Sequence, residues 1–257
     1  MKTAFVIADV HSFYDELVSA LHEEGFDIHN PDHAIISLGD LLDRGEKPIE
    51  CLNFINSLPK ERKILIRGNH EDLLEEAIAR DEFLSHDFHN GTVNTAIKLS
   101  GLDLSYNDYE IIDKVKKNDS LYEYLNSCVD YFEIDNNIFV HGWIPCQTYM
   151  KAFARKYEYN PNWRDANTED WNDARWFNGF LLWDNHIVEP NETIWCGHWH
   201  TSWAHCRLHN DGFEWDEIGD GKVRAKFTPF EDKGIVGMDA CTAYSGFVNC
   251  KKIELEM

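Results

Sequence analysis

Ile64-Leu65-Ile66-Arg67-Gly68-Asn69-His70-Glu71 decides how the rest of the chain is read. A short apolar run of strand length stops at a glycine and opens onto an amide, an imidazole and charged groups. Buried parallel strands deliver polar chemistry at their C-terminal ends in this way. Four further runs repeat the design. Phe5-Val6-Ile7-Ala8 leads into Asp9 and His11, Ile35-Ile36-Ser37-Leu38 into Gly39 and Asp40, Ile138-Phe139-Val140 into His141, and Thr193-Ile194-Trp195 into His198. Apolar runs that all end in oxygen or imidazole donors predict one site on the rim of a sheet.

Working outward, Lys2 to Arg67 alternates strand, helix, strand, helix, strand, with crossovers suited to right-handed βαβ units. The first helix is expected over Ser12 to Glu24, capped by Ser12, striped by Phe13, Leu17 and Leu21 and ended by Gly25. The second follows Gly45, with Ile49, Leu52, Phe54 and Ile55 inward and Pro59 beyond its end; the third starts near His70 and runs through Ile78. Residues 83–130 turn polar and helix-prone, broken at Asn90-Gly91 and Gly101, which predicts a helical insertion beside the sheet. Around Asp135-Asn136-Asn137 the pattern is a hairpin. Residues 145–190 place Trp163, Trp171, Trp176 and Trp183 among acidic and asparagine residues, an aromatic-rich segment read as a cap over the site. Runs at 235–238 and 247–255 are expected to form a second sheet packed on the first. The whole chain, 1–257, is expected to be a single α/β domain.

Composition narrows the function. With 43% hydrophobic and 27% charged residues the chain is ordinary globular material, and no stretch approaches the roughly 18 apolar residues of a membrane span. A cytoplasmic protein without a membrane partner is expected. Seven scattered cysteines with no C-x-x-C pair indicate neither a disulfide framework nor a zinc ribbon. The net charge of -22 disfavours nucleic acid, because such binding displaces counterions with a basic surface. A phosphate-handling site on this chain would draw its positive charge from metal ions and a few arginines.

The rim residues suit metal ions. Asp9 and His11 lie two apart after a strand, Asp40, Asp43 and Arg44 sit between Gly39 and Gly45, and His198 and His200 again lie two apart. Neutral imidazole, carboxylate and amide oxygen together match a borderline divalent ion such as manganese, iron or zinc.

Taken in order, Asp9-x-His11, Gly39-Asp40-x-x-Asp43-Arg44-Gly45, Arg67-Gly68-Asn69-His70-Glu71, Val140-His141-Gly142 and Gly197-His198-x-His200 resemble the calcineurin-like metallophosphoesterases. They look closest to the phosphoprotein phosphatase branch, which includes bacterial and phage serine/threonine phosphatases and the symmetrical diadenosine tetraphosphatases. The likeness spans residues 9 to 200. It implies two packed mixed β-sheets flanked by helices, and two divalent ions, manganese first with iron or zinc as alternatives. By position, Asp9 and His11 are implied to hold the first ion, Asp40 to bridge, and Asn69, His141 and His198 to hold the second. His200 departs from the narrower branch; in the wider superfamily this histidine joins the first ion. The implied general acid is His70, oriented by Asp43, and Arg44 and Arg67 look like phosphate clamps. Arg175 is the candidate for a third clamp, with Arg164 as the alternative.

The implied activity is hydrolysis of phosphomonoesters by metal-activated water, with a phosphoserine or phosphothreonine protein or a small phosphorylated compound as substrate. A symmetrical dinucleoside polyphosphate hydrolase is the alternative within the class. A non-catalytic metal-binding module is the reading from another class, and the acid His70 beside the ligands speaks against it.

Overall fold

Alternation along β1 (Thr3–Ile7) sets the layers of the molecule, seen here in a computed structural model that describes residues 2–151, 154–215 and 225–255. Phe5 and Ile7 point to one face and enter a core shared with helices; Ala4 and Val6 point to the other and meet a second sheet. β1 pairs in parallel with β2 (His33–Ser37), and β2 with β3 (Lys63–Ile66), as the buried apolar runs require. The short β4 (Cys128–Val129) extends that sheet at one edge.

The second sheet has the order β10-β11-β9-β6-β5, formed by β5 (Phe132–Ile134), β6 (Asn137–Phe139), β9 (Thr193–Cys196), β10 (Phe230–Asp232) and β11 (Ile235–Gly237). Its parallel centre, β6-β9-β11, gives Phe139, Trp195 and Val236 to the inter-sheet core, where they meet Val6, Ile36 and Ile66 of the first sheet. Each such side chain contributes about 1.5–3 kcal/mol on burial.

Helices cover both outer faces. On the first sheet lie α1 (Tyr14–Glu23), α2 (Pro48–Ser57) and α3 (Asn69–Arg80). The segment expected as an insertion forms α4 (Ser85–Asn90), α5 (Thr92–Ser100), α6 (Asp108–Val115) and α7 (Asp119–Leu125), and it lays Ile112, Leu121 and Tyr124 into the same core as α1–α3. Over the second sheet pack α8 (Thr168–Ala174), α9 (Gly179–Asp184) and α10 (Thr201–Leu208), with Trp163, Trp171 and Phe180 buried beneath them. A separate hairpin, β7 (Gln147–Lys151) and β8 (Ala154–Glu158), precedes α8. The short α11 (Thr242–Ser245) leads into β12 (Cys250–Glu254). Among the described residues no helix is long and apolar enough to cross a membrane, and the cysteines are free.

Four sequence expectations need correction. The C-terminal run does not join the second sheet: β12 pairs antiparallel with β1, covering an edge of the first sheet that would otherwise be open. Ser12 caps nothing; its φ of 62° and its amide bond to Leu41 O place it in a loop, and α1 starts after Phe13 with no side-chain cap. Ile49 is exposed, and Pro48, Cys51, Leu52 and Ile55 form the buried face of α2 instead. The rim of donors is likewise drawn from both sheets rather than one.

Candidate active site

The loops that leave β1 and β2 turn through left-handed backbone at Asp9 (φ 50°), His11 (51°), Asp40 (53°), Asp43 (73°) and Arg44 (59°). Such conformations cost roughly 1–3 kcal/mol each for residues other than glycine, so they persist only where the surroundings enforce them. Here the two loops bond to each other, His11 N to Asp40 O at 2.9 Å and Gly45 N to His11 O at 2.8 Å. Gly68, after β3, is required by close approach: a Cβ there would lie 2.1 Å from Asp40 Oδ1. The glycine before Asn69-His70 therefore exists to let a carboxylate lie against the chain.

Asp40 is the centre of the site. Its Oδ1 accepts the backbone N–H of His70 at 3.0 Å and lies 3.4 Å from His141 Nε2, while Oδ2 lies 3.7 Å from His11 Nε2 and 4.0 Å from His70 Nε2. Donor atoms of His11, Asp40 and His70 fall within 4.8 Å of one another, and so do those of Asp40, His141 and His198. The same carboxylate thus belongs to both groups. Backbone carbonyls fix the rings: His11 Nδ1–H donates to Leu42 O at 3.0 Å and His141 Nδ1–H to Leu38 O at 2.7 Å, which turns the lone pair of each Nε2 inward. Asn69 Oδ1 lies 2.8 Å from His141 Nε2. Asp9 accepts the His198 amide on both oxygens, at 3.0 and 3.1 Å.

Beside this cluster, His70 Nδ1–H donates to Asp43 Oδ2 at 2.8 Å, leaving Nε2 toward the site. Arg44 reaches across with Nη1 2.9 Å from His11 Nε2 and Nη2 3.1 Å from His70 Nε2. Arg67 and Arg175 come together on Asp72: Arg67 Nε donates to Oδ1 at 2.6 Å and Arg175 Nη1 to Oδ2 at 2.9 Å, with Glu75 and Asp130 as their further partners. Arg164 is not brought in; Glu133 and Glu189 hold it, stacked on Trp163. His200 also stays apart from the donor groups, bonded to Ser202 Oγ and packed 4.4 Å from the ring of Trp215. The edge of Trp176, from the aromatic-rich segment, meets His198 with centroids 5.8 Å apart.

Two buried carboxylates escaped the sequence reading. Glu71 accepts the amides of Asp40, Leu41 and Gly68 and the hydroxyl of Tyr124, and so ties the β2 and β3 loops together. Asp239, just past β11, is buried and close enough to Asp9 for its charge to raise the pKa of that carboxyl. Its signal was present, since Ile235 to Met238 is one more apolar run ending in a carboxylate.

The electrostatics call for a cation. Burial, with the charges of Asp239 and Asp40, raises the Asp9 pKa well above the ordinary carboxylate value, and burial likewise raises Asp239 to about 6. Burial and His141 lower His198 to about 3. His141 Nε2 lies 2.8 Å from Asn69 Oδ1 and 3.4 Å from Asp40 Oδ1, so an imidazole, an amide oxygen and a carboxylate oxygen converge on one point. Clustered acceptors of this kind, mixing imidazole, carboxylate and amide oxygen, fit divalent metal ions.

Comparison with known proteins agrees. A stretch of 67 residues is 37% identical to the symmetrical bis(5'-nucleosyl)-tetraphosphatase of Pasteurella multocida (strain Pm70), covering 26% of this chain and 23% of that enzyme. The asymmetrical bis(5'-nucleosyl)-tetraphosphatase PrpE of Oceanobacillus iheyensis (strain HTE831) is 27% identical over 127 residues, 47% of this chain and 46% of the relative. The aligned parts thus span less than half of these relatives. In fold, the chain is similar to the cold-active protein-tyrosine phosphatase of a Shewanella species, at 15% identity and a TM-score of 0.53, covering 99% of this chain and 76% of that one. The profile of the calcineurin-like phosphoesterases matches residues 3–225. With its sheets, shared aspartate and ring of histidines so placed, the chain belongs to the calcineurin-like phosphoesterase family.

Proposed function

We propose that this enzyme hydrolyses phosphomonoesters, phosphoserine or phosphothreonine in a protein or a small phosphorylated compound, using two divalent ions, manganese before iron or zinc. The observation that carries the reading is one aspartate, Asp40, shared by both donor groups with the His70–Asp43 pair alongside. Asp9, His11 and Asp40 would hold one ion, and Asp40, Asn69, His141 and His198 the other. When bound, such ions supply Lewis-acid charge and lower the pKa of water.

The chain's own groups do the rest. Arg44, with Nη1 2.9 Å from His11 Nε2 and Nη2 3.1 Å from His70 Nε2, is placed to receive phosphoryl oxygens on a planar fork, which would turn it from His70 and leave Nε2 free to carry a proton. Asp43 fixes the ring of His70, so a proton carried on Nε2 is aimed at the departing oxygen. Burial pulls the His70 pKa down, but Asp40 and Asp43 outweigh it and leave it raised, which favours the protonated form. Arg67 and Arg175 reach a substrate only by leaving Asp72. Parallel assays in manganese with 4-nitrophenyl phosphate and diadenosine tetraphosphate test the reading. Turnover of the first alone is expected, and inactivity toward both rejects it.

A second reading, hydrolysis of dinucleoside polyphosphates, is favoured by a cleft of about 430 Å³ beside His198, lined by Tyr157, Trp176, Phe177 and Trp199. Trp176 is 51% exposed there. Stacking of a nucleobase on an aromatic ring contributes about 1–3 kcal/mol. On this reading Trp176→Ala raises the KM for diadenosine tetraphosphate about tenfold and leaves that for tripolyphosphate unchanged. Equal effects on both would remove the base from the cleft.

A further inference from the structure

We infer that Thr92, the first residue of α5, is a positioning residue for the His70–Asp43 pair. Its hydroxyl donates to Asp43 Oδ2 at 2.7 Å, the same oxygen that accepts His70 Nδ1–H at 2.8 Å. One turn further on, Thr95 Oγ1 accepts the backbone N–H of Asp43 at 3.0 Å. Asp43 is fully buried, and its other oxygen, Oδ1, has no hydrogen-bond partner among the described residues. With Oδ1 unheld, only the donors on Oδ2 stop the carboxylate from rotating about its Cβ–Cγ bond. Two donors converging on one oxygen fix the carboxylate plane, and through it the direction in which His70 presents Nε2.

Among the described residues the Thr92 hydroxyl has no other partner. Thr92 is fully buried, and the residue before it, Gly91, gives α5 no side-chain cap. A buried hydroxyl in a helix costs free energy unless it is bonded, and this one is bonded to the acid's partner. The joint between α4 and α5 is seated on the loop it serves, since a Cβ at Gly91 would lie 2.3 Å from Arg44 N. The helical segment therefore reaches back 49 residues in sequence to hold the acid in place.

The inference rests on the acid role proposed for His70, and the test separates the two. Thr92→Val keeps the volume and removes the hydroxyl; Thr92→Ser keeps the hydroxyl. An alkoxide leaving group needs a proton and 4-nitrophenolate scarcely does, so a misdirected acid slows only the first. With the manganese-loaded enzyme, Thr92→Val should lower kcat for glycerol phosphate about tenfold while staying within about twofold for 4-nitrophenyl phosphate, and Thr92→Ser should restore it. Equal losses on the two substrates, or no loss, overturn the role of Thr92. If His70→Asn, assayed alongside, also leaves both rates intact, the acid role itself falls. Turnover is not needed for a second readout: the NMR resonance of the His70 Nδ1 proton in the metal-free protein should shift in Thr92→Val and return in Thr92→Ser. An unmoved resonance overturns the inference as well.

Discussion

On the His11 and His70 side of Asp40, the guanidinium of Arg44 lies within 3.1 Å of both rings, whereas on the side of Asn69 and His141 no arginine or lysine bonds to the inward oxygens among the described residues. The first half already contains an arginine of its own, and among the described residues the second does not. A metal ion entering the first half competes with Arg44; one entering the second meets no such competitor among the described residues. The two ions should therefore differ in affinity, with the His141 and His198 half holding its ion longer against a chelator. Because both halves share one carboxylate, the largest effect comes from the residue they have in common. Asp40→Asn is expected to lower kcat/KM by about 10³-fold or more and to bring the metal content below one ion per chain. Two ions retained at high occupancy in that variant would show that the halves do not depend on a shared oxygen.

His70→Asn acts on one half only. A loss of roughly 10²- to 10⁴-fold in kcat is expected for alkyl phosphates, the usual contribution of a general acid. Metal content should persist, because the Asn69, His141 and His198 donors are untouched. Loss of both ions would mean that His70 serves as a ligand in the group where it sits with His11 and Asp40.

What was legible in the sequence follows the same division. Buried parallel strands leave continuous apolar runs, so Asp9, Asp40, Asn69, His141 and His198 could be located at strand ends before any coordinates. Groups that act across the fold left no such trace. Thr92 meets Asp43 across 49 residues, and Glu71 meets the Asp40 amide across 31. Ser12 fits a capping pattern that assumes ordinary backbone, but its φ is positive. His200 repeats the spacing of His11, yet it stands at the start of α10 and its ring turns to Trp215. Alternation told which residues of β12 share a face, and could not tell which sheet the strand would join.

Gly68→Ala probes how tightly the two halves are pressed together. The added carbon would meet Asp40 Oδ1 at 2.1 Å and Asp40 N at 2.6 Å, and backbone cannot swing away as a flexible side-chain tip can. A destabilisation of about 1–3 kcal/mol is expected in denaturant unfolding, with weakened metal retention. At Gly101, which has no atoms within 4 Å of an added Cβ but a φ of 69°, alanine should cost only the backbone strain and leave metal binding alone. Similar metal loss in both variants would point to general loosening rather than to contact with Asp40.

The smallest effect expected is on the pH dependence of stability, and it tests whether a cation is what the acidic side of the site lacks. Asp239 is raised to about 6 by burial, from an ordinary value of 3.8, and Asp9 is raised as well by burial and by Asp239 and Asp40. A carboxyl group whose folded pKa lies above its unfolded value holds its proton more tightly in the fold. Its contribution to stability is therefore complete below about pH 4 and is lost as the pH climbs through about 6. In metal-free protein Arg44 and the backbone N–H groups of His198 and Cys241 offset only part of that charge, while a divalent ion supplies the rest. The gap in Tm between manganese-loaded and chelator-stripped protein should then widen from pH 4 toward pH 6.5, and Asp239→Asn should reduce the widening. A gap that stays constant across this range, or one that widens equally in Asp239→Asn, would show that the charge of Asp239 is balanced within the protein and that it takes no part in holding the metal side together.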